Sequence, residues 1–532
     1  MSSRPIGYVA FDTKVDTQYS SLSAINVFMD NIDKIHRGKY VRIDSTEGRR
    51  FVGQVVAGPF YMPEGLSPSS HVAQAFTIRG ERFKSLPPYY AVFYVEILGE
   101  WEKEFKSTYT KPRPKSPVYE MGALEISDIL GLSKGDMVLG HHIGYKGVKI
   151  KLPSSHMDVL PRNVGIFGTV GSGKTNTAQV LIEEAARHNW SVIVIDIEGE
   201  YTYMDYPNDD PEMYEVLKSI YGIEPFKIEN FHVFVPVGRD STRGSEAVRF
   251  GIPFFQINPY VLAEIIRATE PQQRYLSIAI GELLSLRKGS EAEEVTEFEE
   301  FAFGGSRDVE PITLEEVINH IETKISSTRD RGVVSALTAL STKLKRLSFY
   351  GVIDEGKPID FSSILKPGHV SVLDVSDVED NVRNICIAWL LDTVFNLKLR
   401  DVERKLPRIM IVIEEAHAFV SKEVRDKMEA TIDLLKRIAR RGRKRWISLV
   451  FISQQPGHLP PEIFELCNTR IIHQLRSEMN IKAIRETTGA LTRELARNIV
   501  SLSKGEAIVT SPVLRYPVLC KIRPAATKRF KH

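Results

Sequence analysis

Read as a pattern of apolar and polar positions, the chain changes texture near residue 160. Before it, short runs rich in β-branched and aromatic residues are bounded by Gly, Pro and Asp: Ile6–Phe11, Tyr40–Ile43, Phe51–Val56 and Tyr89–Leu98. Runs of this kind read as strands, and several at this spacing predict a small barrel or sandwich. LEISDILGLSKGD (124–136) reads as a helix closed by a glycine, leading to strands Met137–His141 and Val148–Lys151.

Beyond residue 160, short aliphatic runs alternate with longer helical patterns. The runs are VGIFG (164–168), SVIVID (191–196), HVSVLDV (369–375), RIMIVIE (408–414), SLVFIS (448–453) and TRIIHQL (469–475). Nearly continuous Ile and Val mark strands covered on both faces, as in a largely parallel sheet with helices on both sides. Residues 255–350 interrupt this pattern with helical periodicity. They enclose an acidic segment with six Glu from Glu291 to Glu300, which reads as a solvated loop or exposed helix face. The expected organisation is a β-barrel over 1–150, an α/β core over 151–254 and 351–515, a helical insertion over 255–350, and a basic arm over 516–532.

Composition narrows the function classes. With 532 residues, 42% hydrophobic, 26% charged and a net charge of +2, the chain is neither disordered nor collagen-like. A uniformly basic nucleic-acid coat is excluded, but local basic patches are not. No run approaches the roughly 18 apolar residues of a membrane span, and the start lacks a secretory apolar region. Cys386, Cys467 and Cys520 lie far apart and read as free thiols in a reducing cytoplasm.

The candidate chemistry begins at GTVGSGKT, Gly168–Thr175, which fits the phosphate-binding pattern G-x-x-x-x-G-K-S/T between a strand and a helix. Gly168, Val170, Gly171, Ser172, Gly173 and Asn176 belong to the loop and its exit. The glycines let backbone N–H groups close around phosphate oxygens, and the helix N-terminus adds its dipole. Lys174 is expected on the β/γ-phosphates and Thr175 on Mg²⁺, with ATP as nucleotide. RIMIVI ends in Glu414-Glu415. In an NTPase, Glu414 would be the metal-side acid and Glu415 the general base. Asp196, which ends SVIVID, either orients the water or metal shell or caps a turn. His417 serves either the γ-phosphate region or the fold.

Gln454 ends another strand, where an amide either reports the γ-phosphate or serves as an ordinary turn residue. In DLLKRIARRGRKRW (433–446), Leu434, Leu435, Ile438 and Ala439 form one apolar helix face, and Gly442 is expected to end the helix with Arg443 at its tip. These arginines are suited to a neighbouring subunit's phosphate or to a nucleic-acid backbone. A solvated basic helix is the third reading.

Together GTVGSGKTNT, IDIEGEY, VIEEAH, IARRGRK, ISQQP and LCNTRIIHQL, in this order, resemble the HerA family of hexameric DNA translocases. The resemblance implies a RecA-like P-loop core behind the family's HAS barrel, which ends here in LGHHIG. It implies a homohexameric ring threading double-stranded DNA, an archaeal setting, and a NurA-type nuclease partner in DNA end resection for recombinational repair. By position it makes Lys174 and Thr175 the nucleotide and Mg²⁺ residues, Glu415 catalytic, Gln454 the sensor, and Arg443 the finger in trans, with Arg440 its neighbour candidate. The family segment often reads IAREGRK; here Arg441 replaces the acid, so three arginines compete for that role. Lys422, Arg425 and Lys427 are candidate DNA contacts. The alternatives are an ATPase ring that scaffolds a nuclease or defence effector without processive translocation, and a small-molecule kinase. The acid pair and the long insertion weigh against the kinase.

Overall fold

The structure is a computed structural model. It describes residues 4–11, 22–63, 89–102, 105–288, 311–416, 429–488, 491 and 493–530. The chain divides into two compact units, one of Met1–Ser133 with His142–Lys149 and one of Lys134–His141 with Ile150–His532.

The first unit carries β1 (Gly7–Val9), β2 (Leu22–Val27), β3 (Tyr40–Asp44), β4 (Arg50–Pro63), β5 (Tyr89–Trp101), β6 (Phe105–Lys106) and β7 (Pro117–Glu120). Their order is β2-β1-β7-β3-β4-β5-β6, and a further β2–β5 pairing closes six strands into an antiparallel barrel. Burial alternates along β5, so one face lines the interior with Ala91, Phe93, Val95 and Ile97. Register shifts at Val52/Gly53, Val55/Ala57 and Ala57/Phe60 bend the long β4 around the barrel. The interior is apolar, with Ile25, Val27, Ile43, Phe51 and Val118 in one cluster.

A twelve-stranded sheet supplies the second unit, apart from the stretch His142–Lys149, which belongs to the first. The sheet's strands are β8 (Met137–His142), β9 (Tyr145–Leu152), β10 (Val164–Phe167), β11 (Trp190–Asp196), β12 (Phe231–Pro236), β13 (Val248–Phe250), β14 (Val370–Asp374), β15 (Arg408–Ile413), β16 (Ile447–Ser453), β17 (Thr469–Ile472), β18 (Glu506–Thr510) and β19 (Val518–Ile522). The order is β13-β12-β14-β11-β15-β16-β10-β17-β18-β19-β8-β9. Pairings from β13 to β17 are all parallel, and β17–β18 and β18–β19 are antiparallel. Every residue of β10, β11, β14, β16 and β17 is buried, which accounts for the unbroken aliphatic runs.

Helices Glu270–Lys288, Leu314–Ser327 and Arg331–Ser348 fill the interrupting segment. They are not a separate body: Leu276, Leu340 and Leu344 join one apolar cluster with Phe250, Trp389 and Leu449 of the sheet layers. The acidic stretch Glu291–Glu300 lies outside the described residues. The expected basic arm begins instead with a strand. Val518, Cys520 and Ile522 of β19 are buried, and a strap from Arg523 to Phe530 follows it. β12, β13, β18 and β19 do not stand out in the apolar pattern because they are short and carry His, Arg, Glu or Lys.

Candidate nucleotide site

The strand order decides where the chemistry collects. β10 lies between β16 and β17, with β15 and then β11 beyond β16. The loops leaving β10, β16, β15 and β11 therefore open at one sheet edge, the carboxyl ends of parallel strands where ligands bind in open α/β sheets.

The loop after β10 is held at both sides. Thr169 N–H donates to Gln474 O at 2.9 Å, and Gly505 N–H donates to Ser172 O at 2.8 Å. Gly171 and Gly173 have φ of +74° and +114°, which a side chain would resist. A Cβ on Gly168 would come within 2.5 Å of Ser172 Oγ and 2.6 Å of His473 Cβ. The helix Lys174–Arg187 begins at Gly173 without a side-chain cap. Its first N–H groups thus face the loop concavity, which is how such a turn receives phosphate.

His473 braces the loop from below. Its Nδ1 donates to Glu506 O at 2.8 Å, so Nε2 is the acceptor for the Thr177 hydroxyl, also at 2.8 Å. Burial, with Lys174 nearby, pushes this imidazole down to about 4, so it stays neutral.

Lys174 lies buried along the loop, with Nζ donating to Thr169 O at 3.2 Å. Burial lowers its ammonium pKa, while Glu415 and Glu414 act in the opposite sense. Glu415 has φ of +42°, an uncommon conformation for a glutamate, and its Oε1 accepts from Gln454 Nε2 at 2.6 Å. The structure thereby brings together the loop lysine, the second acid of the pair and the amide that ends β16.

Glu414 and Asp196 face a different way. Glu414 Oε2 accepts the Ile197 and Glu198 N–H groups, both at 3.3 Å. Asp196 accepts Gly199 N–H at 2.8 Å, Tyr201 N–H at 2.9 Å and Glu200 N–H at 3.2 Å. These bonds cap the turn that follows β11. Burial raises both acids, Asp196 to about 7 and Glu414 well above its ordinary range, and the two carboxyls also interact directly. Mg²⁺ characteristically uses few protein ligands beside a nucleotide, so the expected pair Thr175 and Glu414 would need only phosphate oxygens and water to complete its shell. When bound, the ion would neutralise developing phosphate charge.

Asn176 is taken up by the strap: Nδ2 donates to Arg523 O and Oδ1 accepts Ala525 N–H, both at 2.9 Å. Val170 is exposed at the loop tip. The basic helix runs Glu429–Arg441 and gives way at Gly442 to a short 3-10 turn. Leu434, Leu435, Ile438 and Ala439 are buried on its apolar face, and Arg440 and Arg441 are exposed. Arg443 Nη2 pairs with Asp158 at 2.7 Å, so within this subunit it is turned to Asp158. His417, Lys422, Arg425 and Lys427 lie outside the described residues. Sequence reasoning missed the bracing by His473, although its strand was recognised. It also missed the strap, whose mixed composition carries no periodic signal.

The family described as "Helicase HerA, central domain" matches residues 137–394, and "Helicase HerA-like C-terminal" matches residues 365–514. A DNA double-strand break repair helicase HerA of Sulfolobus acidocaldarius is 25% identical over 92% of this chain and 89% of that protein. A probable helicase of Methanocaldococcus jannaschii is 23% identical over 97% of this chain and 90% of that protein. Among solved structures, VirB4 of Thermoanaerobacter pseudethanolicus is similar with a TM-score of 0.48 and 17% identity, covering 73% of this chain and 96% of that one. With the phosphate loop, the Glu415–Gln454 pair and the parallel sheet in the expected order, and with the two family matches together running from residue 137 to 514, the chain belongs to the HerA helicase family of ATP-hydrolysing P-loop enzymes.

Proposed function

We propose that this chain is an ATP-driven motor that moves on double-stranded DNA as a homohexameric ring. We further propose that it acts with a NurA-type nuclease in processing DNA ends for repair. The observation that carries the reading is the bond between Gln454 and Glu415 beside the Lys174 loop. It joins a carboxylate able to take a proton from water to an amide able to sense what lies next to it, at the edge where a triphosphate would sit. A kinase would need an acceptor hydroxyl there rather than an activated water. The DNA substrate follows from the relatives named as double-strand break repair helicases.

In this mechanism the loop N–H groups and Lys174 bind the phosphates, Glu415 orients and deprotonates the attacking water, and Gln454 links that event to β16. Arg443 of one subunit, with Arg440 beside it, completes the neighbour's site after exchanging Asp158 for phosphate. Lys422, Arg425 and Lys427 contact the DNA backbone. Glu415→Gln should retain nucleotide binding but lose about 100-fold or more in ATP turnover, the usual scale for a general base. Full turnover in that variant would remove the assignment. Displacement of a triplex-forming strand from duplex DNA should require ATP hydrolysis. ATP turnover without displacement would favour the scaffold reading. Negative-stain imaging with duplex DNA should show rings.

A further inference from the structure

The strap Arg523–Phe530 crosses the helix Lys174–Arg187 and ends beside the acidic loop that follows β11. It is anchored by a guanidinium with no exposed surface: Arg523 pairs with Glu183 at 2.8 Å and Glu184 at 3.0 Å. Thr527 then donates its N–H and hydroxyl to Glu183 Oε1, both at 2.8 Å, and Gln179 Nε2 donates to Lys528 O at 3.3 Å. On the far side, Phe530 stacks on Tyr203 with ring centroids 5.3 Å apart, and its N–H donates to Glu200 O at 3.2 Å. Arg529 is therefore held on both flanks.

Arg529 is under-used where it lies. Its Nη2 pairs with Glu200, its one carboxylate partner among the described residues, while its buried Nε has no hydrogen-bond partner among them. A guanidinium offers five N–H donors in a fork that matches phosphate. Glu200 belongs to the turn capped by Asp196, and its neighbour Glu198 donates its N–H to Glu414. Arg529 thus sits on the loop that borders the acid pair. Its charge reaches Lys174, adding to the burial that depresses that ammonium. A half-buried guanidinium near a second cation, with donors to spare, is one that a polyanion could also satisfy.

We propose that Arg529, carried in cis by the strap, is a second phosphate-reading cation of the nucleotide site, which leaves Glu200 for the terminal phosphate of a bound nucleoside triphosphate. It rests on the nucleotide-site reading above and adds a residue outside both family matches, which end at 514. Glu200 is then a competitor for the guanidinium, and the strap becomes an element whose docking responds to triphosphate and not to diphosphate. Arg529 acts here as a binding and positioning residue, so its signature is discrimination between nucleotides.

The test is equilibrium binding of a fluorescent non-hydrolysable ATP analogue and a fluorescent ADP to the full chain with Mg²⁺. Arg529→Gln should weaken the triphosphate about 10-fold or more, the scale of a charge-assisted hydrogen bond, and leave ADP within about 2-fold. Arg529→Lys should recover part of the loss. Glu200→Gln should move the other way and tighten the triphosphate by several-fold, because the competitor is gone. Equal weakening of both nucleotides by Arg529→Gln, or weaker triphosphate binding in Glu200→Gln, would overturn the proposal. Lys174→Ala separates the two levels of inference. If it abolishes binding of both nucleotides while Arg529→Gln leaves triphosphate affinity at the wild-type value, the site stands and the strap proposal falls. If the wild-type chain binds neither nucleotide, both fall. Should Arg529→Gln unfold, Glu200→Gln alone decides by its sign.

Discussion

Replacing Arg523 with Met should destabilise the second unit sharply, and the structure sets the scale. The guanidinium is fully buried, and so is Glu183, while Glu184 is 3% exposed. Arg523 also donates to Val138 O at 3.1 Å and Pro524 O at 2.9 Å, so it ties β8 to the strap. Methionine keeps most of the volume but leaves two carboxylates facing each other out of water. Removing one partner of a buried pair costs about 3–5 kcal/mol, because the remaining charge is uncompensated. The assay is urea unfolding followed at the second unit, with limited proteolysis to report release of the strap. The diagnostic step is a background change: in Glu183→Gln/Glu184→Gln, the same Arg523→Met should cost about 1 kcal/mol or less, since no acid is then stranded. A cost below about 1 kcal/mol in the wild-type background would refute the argument. So would an equal cost in both backgrounds, which would assign the effect to packing.

Three other outcomes follow from the same geometry. His473 is depressed to about 4 in the fold, so the unfolded chain takes up its proton first as pH falls below about 6.5. Stability should be full above that pH and fall by of order 3 kcal/mol towards pH 4, and His473→Gln should flatten this part of the pH–unfolding curve. Gly168→Ala should displace the phosphate loop at about 1–3 kcal/mol of strain and weaken ATP binding in a direct titration, given the 2.5 Å and 2.6 Å approaches to Ser172 and His473. Mixing Arg443→Ala with Lys174→Ala subunits should restore ATP turnover in proportion to the sites that pair two intact faces, whereas arginine action within one subunit would restore none.

The sequence by itself determined the local chemistry. A phosphate loop is a contiguous device, so Gly168 to Thr175 is legible without any fold, and an acid pair after an aliphatic strand is legible for the same reason. Strands covered on both faces are also visible because burial forces continuous Ile and Val, as in β11, β15 and β16. Only the tertiary structure decided where each acid turns. Glu414 and Glu415 are adjacent in sequence, yet one turns to the backbone of the β11 loop and the other, through a left-handed φ, turns to Gln454. That choice depends on strand order, which places β16 between β15 and β10 and is not written in any one segment. The strap is the clearest case. RPAATKRFKH reads as a loose basic arm, because Arg523 finds its partners only once β19 has brought it against Glu183 and Glu184, 339 or more residues earlier in the chain. Charge in a sequence reports how many ions there are. Which of them are out of water and paired is settled by long-range packing, and here that packing turns the arm into a strap anchored on Glu183 and Glu184.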